Sequence, residues 1–386
     1  MQQYDYLIVG AGLYGATFAY FAGKAGKKCL VVERRSHTGG NLYCDNINGI
    51  NVHTYGAHIF HTSDKRIWDF VNSLVPFNRY TNSPVADYNG EIFNLPFNMN
   101  TFHQMWGVRT PEQAEKILVH QRREAELKLG GREPANLEEQ ALCLVGKDIF
   151  EKLIRDYTEK QWGRSCTELP PFIIKRLPVR LIYDNNYFND SYQGIPIGGY
   201  NPLIEHLLTY ATVRTNTDFF NLEDKKWESI AENLVYTGPL DKFFDYKFGH
   251  FDWRTVTFKT KIIESPNYQG CAVVNYTSHR QPFTRVIEHK HFEKFGQEVY
   301  DIPCTVISEE YSTEYTDGME PYYPVNNIRN NKLKNSYNEE LARMASTHSG
   351  KIIFGGRLAQ YAYFDMDKVI AQCMTDLQEA GISTEF

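Results

Sequence analysis

Three glycines near the amino terminus have the spacing of a phosphate-binding turn. Gly10, Gly12 and Gly15 form a GxGxxG motif, and Glu33 follows at the end of the next apolar run. The first glycine makes a tight turn, the second lets the backbone approach a pyrophosphate, and the third lets a helix pack closely on its strand. The acidic residue is placed to bind a ribose hydroxyl. The pattern predicts a dinucleotide site.

A second glycine turn follows the acidic residue. Gly39, Gly40 and Asn41 come shortly after Glu33. A plain NAD dehydrogenase needs no close backbone approach here, whereas the longer pyrophosphate and ribityl chain of FAD do. The doublet therefore resembles that of FAD-binding proteins of the glutathione reductase and amine oxidase type. The alternative is a simple surface turn.

Two histidines, His58 and His61, stand close together in the segment 55–62. Metal ligation is one interpretation, but no third ligand and no HExxH motif accompanies them. Hydrogen-bonded structural histidines are favoured. The chain also lacks a GxSxG motif and a GxxxxGK[ST] motif, so neither a serine hydrolase nor a P-loop phosphoryl transferase has support.

The segment 157–188 combines aromatic and basic residues. Tyr157 and Trp162 could flank a nucleobase, and Arg176 could make a bidentate contact with a diphosphate. Three prolines within 170–178 suggest a lid rather than a helix interior. The alternative is a solvated charged loop beside buried aromatic residues.

The elements that would position the glycine motif form a βαβ unit. Short apolar runs predict buried strands over 6–9 and 28–33, with a helix over 17–25 between them. Further strands are predicted near 213–215, 234–237 and 351–354, and an amphipathic helix over 367–380. Asn201 before Pro202 is typical of a helix N-cap.

Two regions interrupt this pattern. Residues 97–165 are charged and helical in pattern, with one long helix predicted over 137–160, and residues 241–315 contain short β-prone runs separated by turns. The predicted fold is α/β: a Rossmann-like FAD-binding domain with an inserted helical domain and an inserted antiparallel β-sheet domain. The predicted boundaries are 1–76, 197–240 and 335–386 for the FAD-binding domain, 97–165 for the helical domain, and 77–96, 166–196 and 241–334 for the sheet domain with its substrate lid.

Composition excludes several partners. The 41 basic and 47 acidic residues of the 386-residue chain give a net charge of −6, which offers no electrostatic footprint for nucleic acid. Seven cysteines without a CxxC pair fit reduced thiols and argue against structural zinc. The uncharged stretch 6–23 lacks a basic flank and is broken by glycines, so it predicts neither a signal peptide nor a membrane span. We expect a cytoplasmic protein that binds no nucleic acid, membrane or metal.

Taken together, these motifs resemble the UDP-galactopyranose mutases of bacterial type over nearly the whole chain. The resemblance rests on the GxGxxG motif with Glu33 and on the segments 39–41, 55–61, 158–163, 175–180, 184–188, 284–285, 322–324 and 356–365. It implies an isomerase that interconverts UDP-galactopyranose and UDP-galactofuranose with reduced FAD. In that family, flavin N5 attacks the anomeric carbon as UDP leaves, and a flavin-iminium, ring-opened sugar then recloses. A homodimer in cell-wall polysaccharide biosynthesis is also implied.

The resemblance further implies roles for individual residues. Arg176 and Arg285 are similar to the two arginines that grip the diphosphate, and with His61 they form the implied catalytic set. Substrate binding is implied for both arginines and for Asn82, Tyr157, Thr158, Trp162, Tyr187, Tyr323 and Tyr363. FAD binding is implied for Gly10, Gly12, Gly15, Glu33, Arg34, Gly40, Asn41, His58, Ile59, Arg357, Asp365 and Met366.

Other functions stay open at this point. His58 stands where an enzyme specialised for the N-acetylated sugar would have arginine, which favours UDP-galactose over UDP-N-acetylgalactosamine. An amine-oxidase-type flavin oxidoreductase shares the glycine motifs but would not need the pair Arg176 and Arg285. A nucleotide-sugar-binding protein that keeps FAD only as structure is a further alternative.

Overall fold

The computed structural model describes residues 3–174, 179–222 and 227–386, which form two compact units. The first unit comprises Met1–Tyr80, Asp190–Arg254 and Tyr315–Phe386, and the second comprises Thr81–Asn189 and Thr255–Glu314. Residues 97–165 and the strand-rich stretch 255–314 both belong to the second unit, whereas 190–196, 241–254 and 315–334 of the predicted sheet domain belong to the first. No helix within these described ranges combines the length and apolar character of a membrane span.

The strands and helices follow in chain order. The strands are β1 (Tyr4–Val9), β2 (Cys29–Val32), β3 (Cys44–Ile47), β4 (Ile50–His53), β5 (Phe60–Thr62), β6 (Val85–Tyr88), β7 (Glu91–Asn94), β8 (Tyr192–Gly194), β9 (Thr212–Arg214), β10 (Ala231–Tyr236), β11 (Trp253–Ile263), β12 (Val273–Tyr276), β13 (Arg285–Glu288), β14 (Thr305–Glu314), β15 (Tyr323–Pro324) and β16 (Ile352–Phe354). The helices are α1 (Leu13–Lys24), α2 (Lys65–Leu74), α3 (Met99–Trp106), α4 (Pro111–Leu129), α5 (Leu137–Val145), α6 (Lys147–Ile149), α7 (Arg155–Trp162), α8 (Asn201–Leu207), α9 (Leu240–Phe243), α10 (Ile328–Thr347), α11 (Gly356–Ala359) and α12 (Met366–Glu379).

A five-stranded parallel sheet organises the first unit, in the order β16-β10-β1-β2-β9. Its central residues are apolar and without solvent exposure, because helices or loops cover both faces of the sheet. In register, Ile8 of β1 faces Val31 of β2 and Val235 of β10, and all three are fully buried. The α/β class and the predicted returning strands are confirmed.

Two local predictions in the first unit are wrong. Helix α1 begins at Leu13, ahead of the predicted start at Thr17, because Gly12 has an extended backbone and serves as the residue before the helix. Asn201 is not a helix cap. Its side chain instead accepts a hydrogen bond from the Cys44 amide (2.9 Å) and donates one to the Cys44 carbonyl (2.7 Å), while Tyr200 precedes the helix.

The second unit contains the antiparallel strands and most of the charged helices. Its strands follow the order β11-β14-β13-β12-β6-β7, and one neighbouring pair, β12 with β6, is parallel. The long helix predicted over 137–160 is interrupted. Gly146 ends α5 with a φ of +80°, and a Cβ there would lie 2.7 Å from Gln121 Cβ, so the turn disfavours any other residue. A π-helical turn, Phe150–Ile154, then leads into α7.

Candidate active site

The two glycine turns lie beside each other at the end of β1. Gly10 has a φ of +99°, and a Cβ on Gly15 would meet the Gly10 carbonyl oxygen at 2.1 Å. These two positions therefore need glycine for the turn and for close packing of α1. Gly12 is different, because an added Cβ would meet only the Gly40 Cα, at 3.9 Å. The backbone of Gly12 is thus accessible to a ligand rather than filled by protein.

Glu33 is held beside this turn by backbone amides. Its Oε2 accepts a hydrogen bond from the Ala11 amide (3.0 Å) and its Oε1 accepts one from the Arg35 amide (2.9 Å). The residue is only 6% exposed. Each carboxylate oxygen can accept more than one hydrogen bond, so the group can still bind hydroxyls of a ribose.

Arg35 carries a buried donor that no group in the described part of the chain satisfies. Its Nη2 donates to Asn41 Oδ1 (3.0 Å) and Glu320 Oε2 (2.7 Å), and its guanidinium lies 4.3 Å from the centre of the Tyr55 ring. Nη1 is buried and has no hydrogen-bond partner within residues 3–174, 179–222 and 227–386. Burial alone would lower the pKa of Arg35, but Glu320 outweighs it and the pKa is raised. A permanently charged, unsatisfied N–H beside two glycine turns fits a diphosphate.

The sequence singles out Arg34 instead of Arg35. Arg34 pairs with the other carboxylate oxygen of Glu320, and about half of its side chain is exposed. Both arginines lower the pKa of Glu320, although burial alone would raise it. A cavity of about 420 Å³ adjoins these residues at the carboxyl ends of β2 and β9, where ligands bind in doubly wound sheets. It is lined by Arg34, Arg35, Asn216, Thr217, Asp218 and Asn221.

The two histidines have different partners. His61 Nδ1 lies 2.6 Å from Asp190 Oδ2, and Ser63 donates to the other oxygen of the same carboxylate (2.7 Å). Although burial would raise the pKa of Asp190, these two contacts lower it. His58 Nδ1 lies 2.8 Å from the Gly56 carbonyl oxygen. The sequence missed Asp190, because the pairing of β5 with β8 brings it to His61.

The carboxyl-terminal residues of the predicted set also belong to the first unit. Arg357 donates to the Pro321 carbonyl (2.9 Å) and to that of Tyr322, and burial lowers its pKa to about 10. The rings of Tyr323 and Tyr363 are stacked, with centroids 6.4 Å apart. Burial raises the pKa of Asp365, and His61 partly offsets this effect. Ile59 precedes β5, and Met366 begins α12.

In the second unit, Arg285 is anchored by a buried carboxylate. Its Nε donates to Glu310 Oε1 (2.9 Å), which also accepts from Thr284 Oγ1 (3.1 Å). Glu310 is 4% exposed and faces Arg285 directly across β13 and β14. The sequence missed Glu310, because strand register cannot be deduced from motif spacing. Arg176 lies outside the described residues.

The other predicted substrate residues of the second unit lie in two places. Tyr157, Thr158 and Trp162 share α7, where Thr158 is buried and Trp162 is partly exposed. The Asn82 carbonyl accepts a hydrogen bond from the Tyr187 amide (2.8 Å), which brings these two residues together. The Tyr187 side chain is exposed.

Comparison with known proteins finds matches along nearly the whole chain. A family model described as UDP-galactopyranose mutase matches residues 152–363, and one described as an NAD(P)-binding Rossmann-like domain matches residues 8–74. A dTDP-fucopyranose mutase from Escherichia coli is 36% identical over 380 residues, which cover 95% of this chain and 96% of that protein. A probable UDP-galactopyranose mutase from Klebsiella pneumoniae is also 36% identical, over 98% of this chain and 95% of its own length.

The fold has a counterpart among solved structures. A crystal structure of reduced UDP-galactopyranose mutase superposes with a TM-score of 0.73 at 15% identity, over 100% of this chain and 95% of that one. The resemblance drawn from the motifs is therefore confirmed. A family model matches more than half of the chain, and relatives match it nearly end to end. The chain therefore belongs to the UDP-galactopyranose mutase family of isomerases.

Proposed function

We propose that this enzyme interconverts UDP-galactopyranose and UDP-galactofuranose, and that it does so with reduced FAD. The observation that carries the cofactor assignment is the buried Nη1 of Arg35, which has no hydrogen-bond partner among the described residues, together with the open space beside the Gly12 backbone. Such a site fits a diphosphate that must lie against backbone. The family supplies the reaction, because its members isomerise nucleotide sugars.

The residues that would hold FAD lie in the first unit. Gly12, Gly40 and Arg35 would bind its pyrophosphate, and Glu33 would accept hydrogen bonds from its adenosine ribose. When bound in reduced form, FAD supplies a nucleophilic nitrogen that allows the bond between sugar and UDP to break without net oxidation.

His61 is the residue of the first unit that we assign to the sugar. Asp190 fixes the imidazole through Nδ1, which sets the orientation of the ring. We propose that His61 holds or exchanges a proton with a sugar hydroxyl through Nε2 while the ring opens and closes.

Arg285 is the described residue that we assign to the substrate diphosphate. Ring contraction requires UDP to depart and return, so its negative charge must be stabilised in place. Glu310 fixes the Nε edge of Arg285, and a guanidinium held on one edge presents its donors in a defined plane. Arg176 is proposed as the second such residue on sequence grounds alone. Asn82, Tyr157, Thr158, Trp162, Tyr187, Tyr323 and Tyr363 are proposed as further substrate contacts.

A second candidate substrate is dTDP-fucopyranose. It is favoured by the Escherichia coli relative of that name, which is as similar to this chain as the Klebsiella pneumoniae protein. Fucose is a 6-deoxy galactose, so both substrates present the same ring and hydroxyls for contraction. We also propose a preference for galactose over its N-acetylated form, because His58 stands where an enzyme specialised for the N-acetylated sugar would have arginine.

A substrate panel decides among these candidates. Enzyme reduced with dithionite would be incubated separately with UDP-galactofuranose, the dTDP-fucofuranose analogue and UDP-N-acetylgalactosamine, and the products separated by chromatography. We expect the highest kcat/KM with UDP-galactofuranose. A higher value with the dTDP sugar would transfer the assignment to the second candidate. In a parallel incubation with an amine, peroxide production without isomerisation of any nucleotide sugar would favour an oxidase.

A further inference from the structure

Lys160 of α7 lies in a cage of backbone carbonyls from one loop. Its Nζ donates to the carbonyl oxygens of Tyr276 (2.6 Å), Ser278 (2.9 Å), Gln281 (3.1 Å) and Phe283 (2.9 Å). An ammonium has three donors and no acceptor, so four carbonyls use all of its hydrogen-bonding capacity. The side chain therefore serves the loop 276–283 and has no donor left for a ligand.

The cage joins two elements that the proposed function assigns to the substrate. On one side, Lys160 lies on α7 between Tyr157 and Trp162. On the other side, the last carbonyl of the cage belongs to Phe283, which leads through Thr284 into Arg285 at the start of β13. Lys160 thus links the helix proposed to contact the base with the strand that carries the diphosphate arginine.

Further polar contacts connect the same helix and loop. The His279 amide donates to Asp156 Oδ2 (3.2 Å), and His279 Nε2 lies 3.0 Å from Glu159 Oε2. Asp156, Glu159 and His279 could together hold a cation. However, Arg155 Nε already donates to Asp156 Oδ1 (2.9 Å), and the opposed charges are paired within the cluster. We therefore interpret the cluster as part of the attachment of the loop to α7.

We propose that Lys160 is a positioning residue, which holds Arg285 and the aromatic residues of α7 in their relative places for binding the nucleoside diphosphate of the substrate. This inference rests on the proposed function. Without the ammonium, four carbonyls lose their common donor and the loop must move to regain hydrogen bonds from water. Arg285 follows directly after that loop, so it would move as well.

A second lysine that donates to a cage of carbonyls provides a matched control. Lys290 is 2% exposed, and its Nζ donates to the carbonyls of Pro266 (2.9 Å), Val299 (3.1 Å) and Ile302 (2.8 Å). This cage has the same chemistry and belongs to the same unit, but α7 contributes no atom to it. Removing it should weaken the fold without breaking the link between α7 and Arg285.

The test compares Lys160→Met with Lys290→Met in the FAD-loaded enzyme. UDP affinity would be measured by calorimetry, together with kcat, KM, Tm and flavin content. We expect Lys160→Met to weaken UDP binding and raise KM by about tenfold, with a much smaller change in kcat and unchanged flavin content. Lys290→Met should lower Tm and leave UDP affinity unaltered. Unchanged UDP affinity in Lys160→Met, or equal losses in both variants, would overturn the inference.

Chemical rescue separates a missing cation from general damage. Lys160→Ala leaves room for propylammonium, which should restore UDP affinity where sodium chloride of equal ionic strength does not.

If Lys160→Met fails to fold, Lys160→Gln retains two amide donors and should show an intermediate loss of affinity. If the wild-type enzyme isomerises its substrate and Lys160→Gln keeps full UDP affinity, only this inference is refuted. Wild-type enzyme that neither binds UDP nor turns over would refute the proposed function too.

Discussion

At the scale of single residues, Arg285 and Glu310 form a polar pair across β13 and β14 in the second unit. Lysine at position 285 would keep the charge but lose the planar fork and the Nε contact with Glu310. We expect Arg285→Lys to lose roughly ten- to a hundredfold in kcat/KM with unchanged flavin content. The control is Arg123→Lys, because Arg123 is an exposed arginine of α4. Near-full activity of Arg285→Lys, or loss of its flavin, would show that this arginine does not serve the substrate diphosphate.

The residues that motif spacing predicts are those whose neighbours lie close in sequence. Gly10, Gly12 and Gly15 occupy one turn, so their spacing alone indicates their geometry. Asp190 and Glu310 were missed because strand pairing brings each to its partner from a distant segment. Arg35 was missed for a third reason, since sequence does not reveal which of two consecutive arginines is buried.

At the scale of elements, two glycines of the same motif have different roles: Gly12 is proposed to serve ligand binding, and Gly15 serves the packing of α1. A Cβ on Gly12 meets only the Gly40 Cα at 3.9 Å, whereas a Cβ on Gly15 would overlap the Gly10 carbonyl at 2.1 Å. We expect Gly12→Ala to fold with near-normal apoprotein Tm but to lose FAD, because the methyl group takes the place of the pyrophosphate. Gly15→Ala should lose stability whether or not FAD is present. The measurements are flavin absorbance per protein and apoprotein Tm, and a Gly12→Ala variant with full flavin content would contradict the assignment.

The cage of Lys160 predicts a dependence on pH. Burial lowers the pKa of its ammonium from 10.5 to about 8, and Asp156 only partly offsets this effect. Glu159 of α7 and His279 of the loop also face this region, as does Arg155. Above pH 8 the neutral amine has two donors for four carbonyls, so UDP affinity should fall as pH rises through about 8. Lys160→Met should lack this step.

The contribution of Lys160 to the stability of the fold should change with pH in the direction opposite to UDP affinity. The pKa of Lys160 is lower in the folded than in the unfolded chain, so the unfolded chain binds more protons between pH 8 and 10.5. The contribution of this group to the free energy of unfolding therefore rises with pH in that window. UDP binding should therefore weaken above pH 8 although the contribution of Lys160 to stability does not fall. This difference distinguishes a displaced loop from an unfolded protein. A flat pH profile of UDP affinity in the wild type would contradict the prediction.

Secondary structure was predictable where the chain carries a continuous apolar run. β1, β2, β10 and β16 are such runs, and all four were expected from sequence. The long helix over 137–160 was not realised, because Gly146 has a positive φ that ends α5. The cap at Asn201 was wrong, because its side chain binds the backbone of Cys44. Local propensity does not show that a glycine within a helical pattern will end the helix. It also does not show that a side chain will hydrogen-bond to the backbone of a strand distant in sequence.

At the scale of the whole molecule, the predicted residues divide between the two units. The glycine turns, Glu33, His61 and Arg357 belong to the first unit, while Arg285 and the aromatic residues of α7 belong to the second. We expect the purified protein to carry FAD that is released by denaturation, since the residues proposed to hold FAD lie within one unit. A colourless protein that cannot be reconstituted with FAD would remove the basis of the mechanism.

We propose above all that a reduced flavin serves an isomerisation without net redox change. The most direct measurement is the rate at which UDP-galactofuranose becomes UDP-galactopyranose, followed by chromatography, with and without dithionite. We predict turnover only after reduction, because oxidised flavin lacks the electron pair that displaces UDP. Equal rates in the oxidised and reduced states, or no conversion in either, would contradict the account.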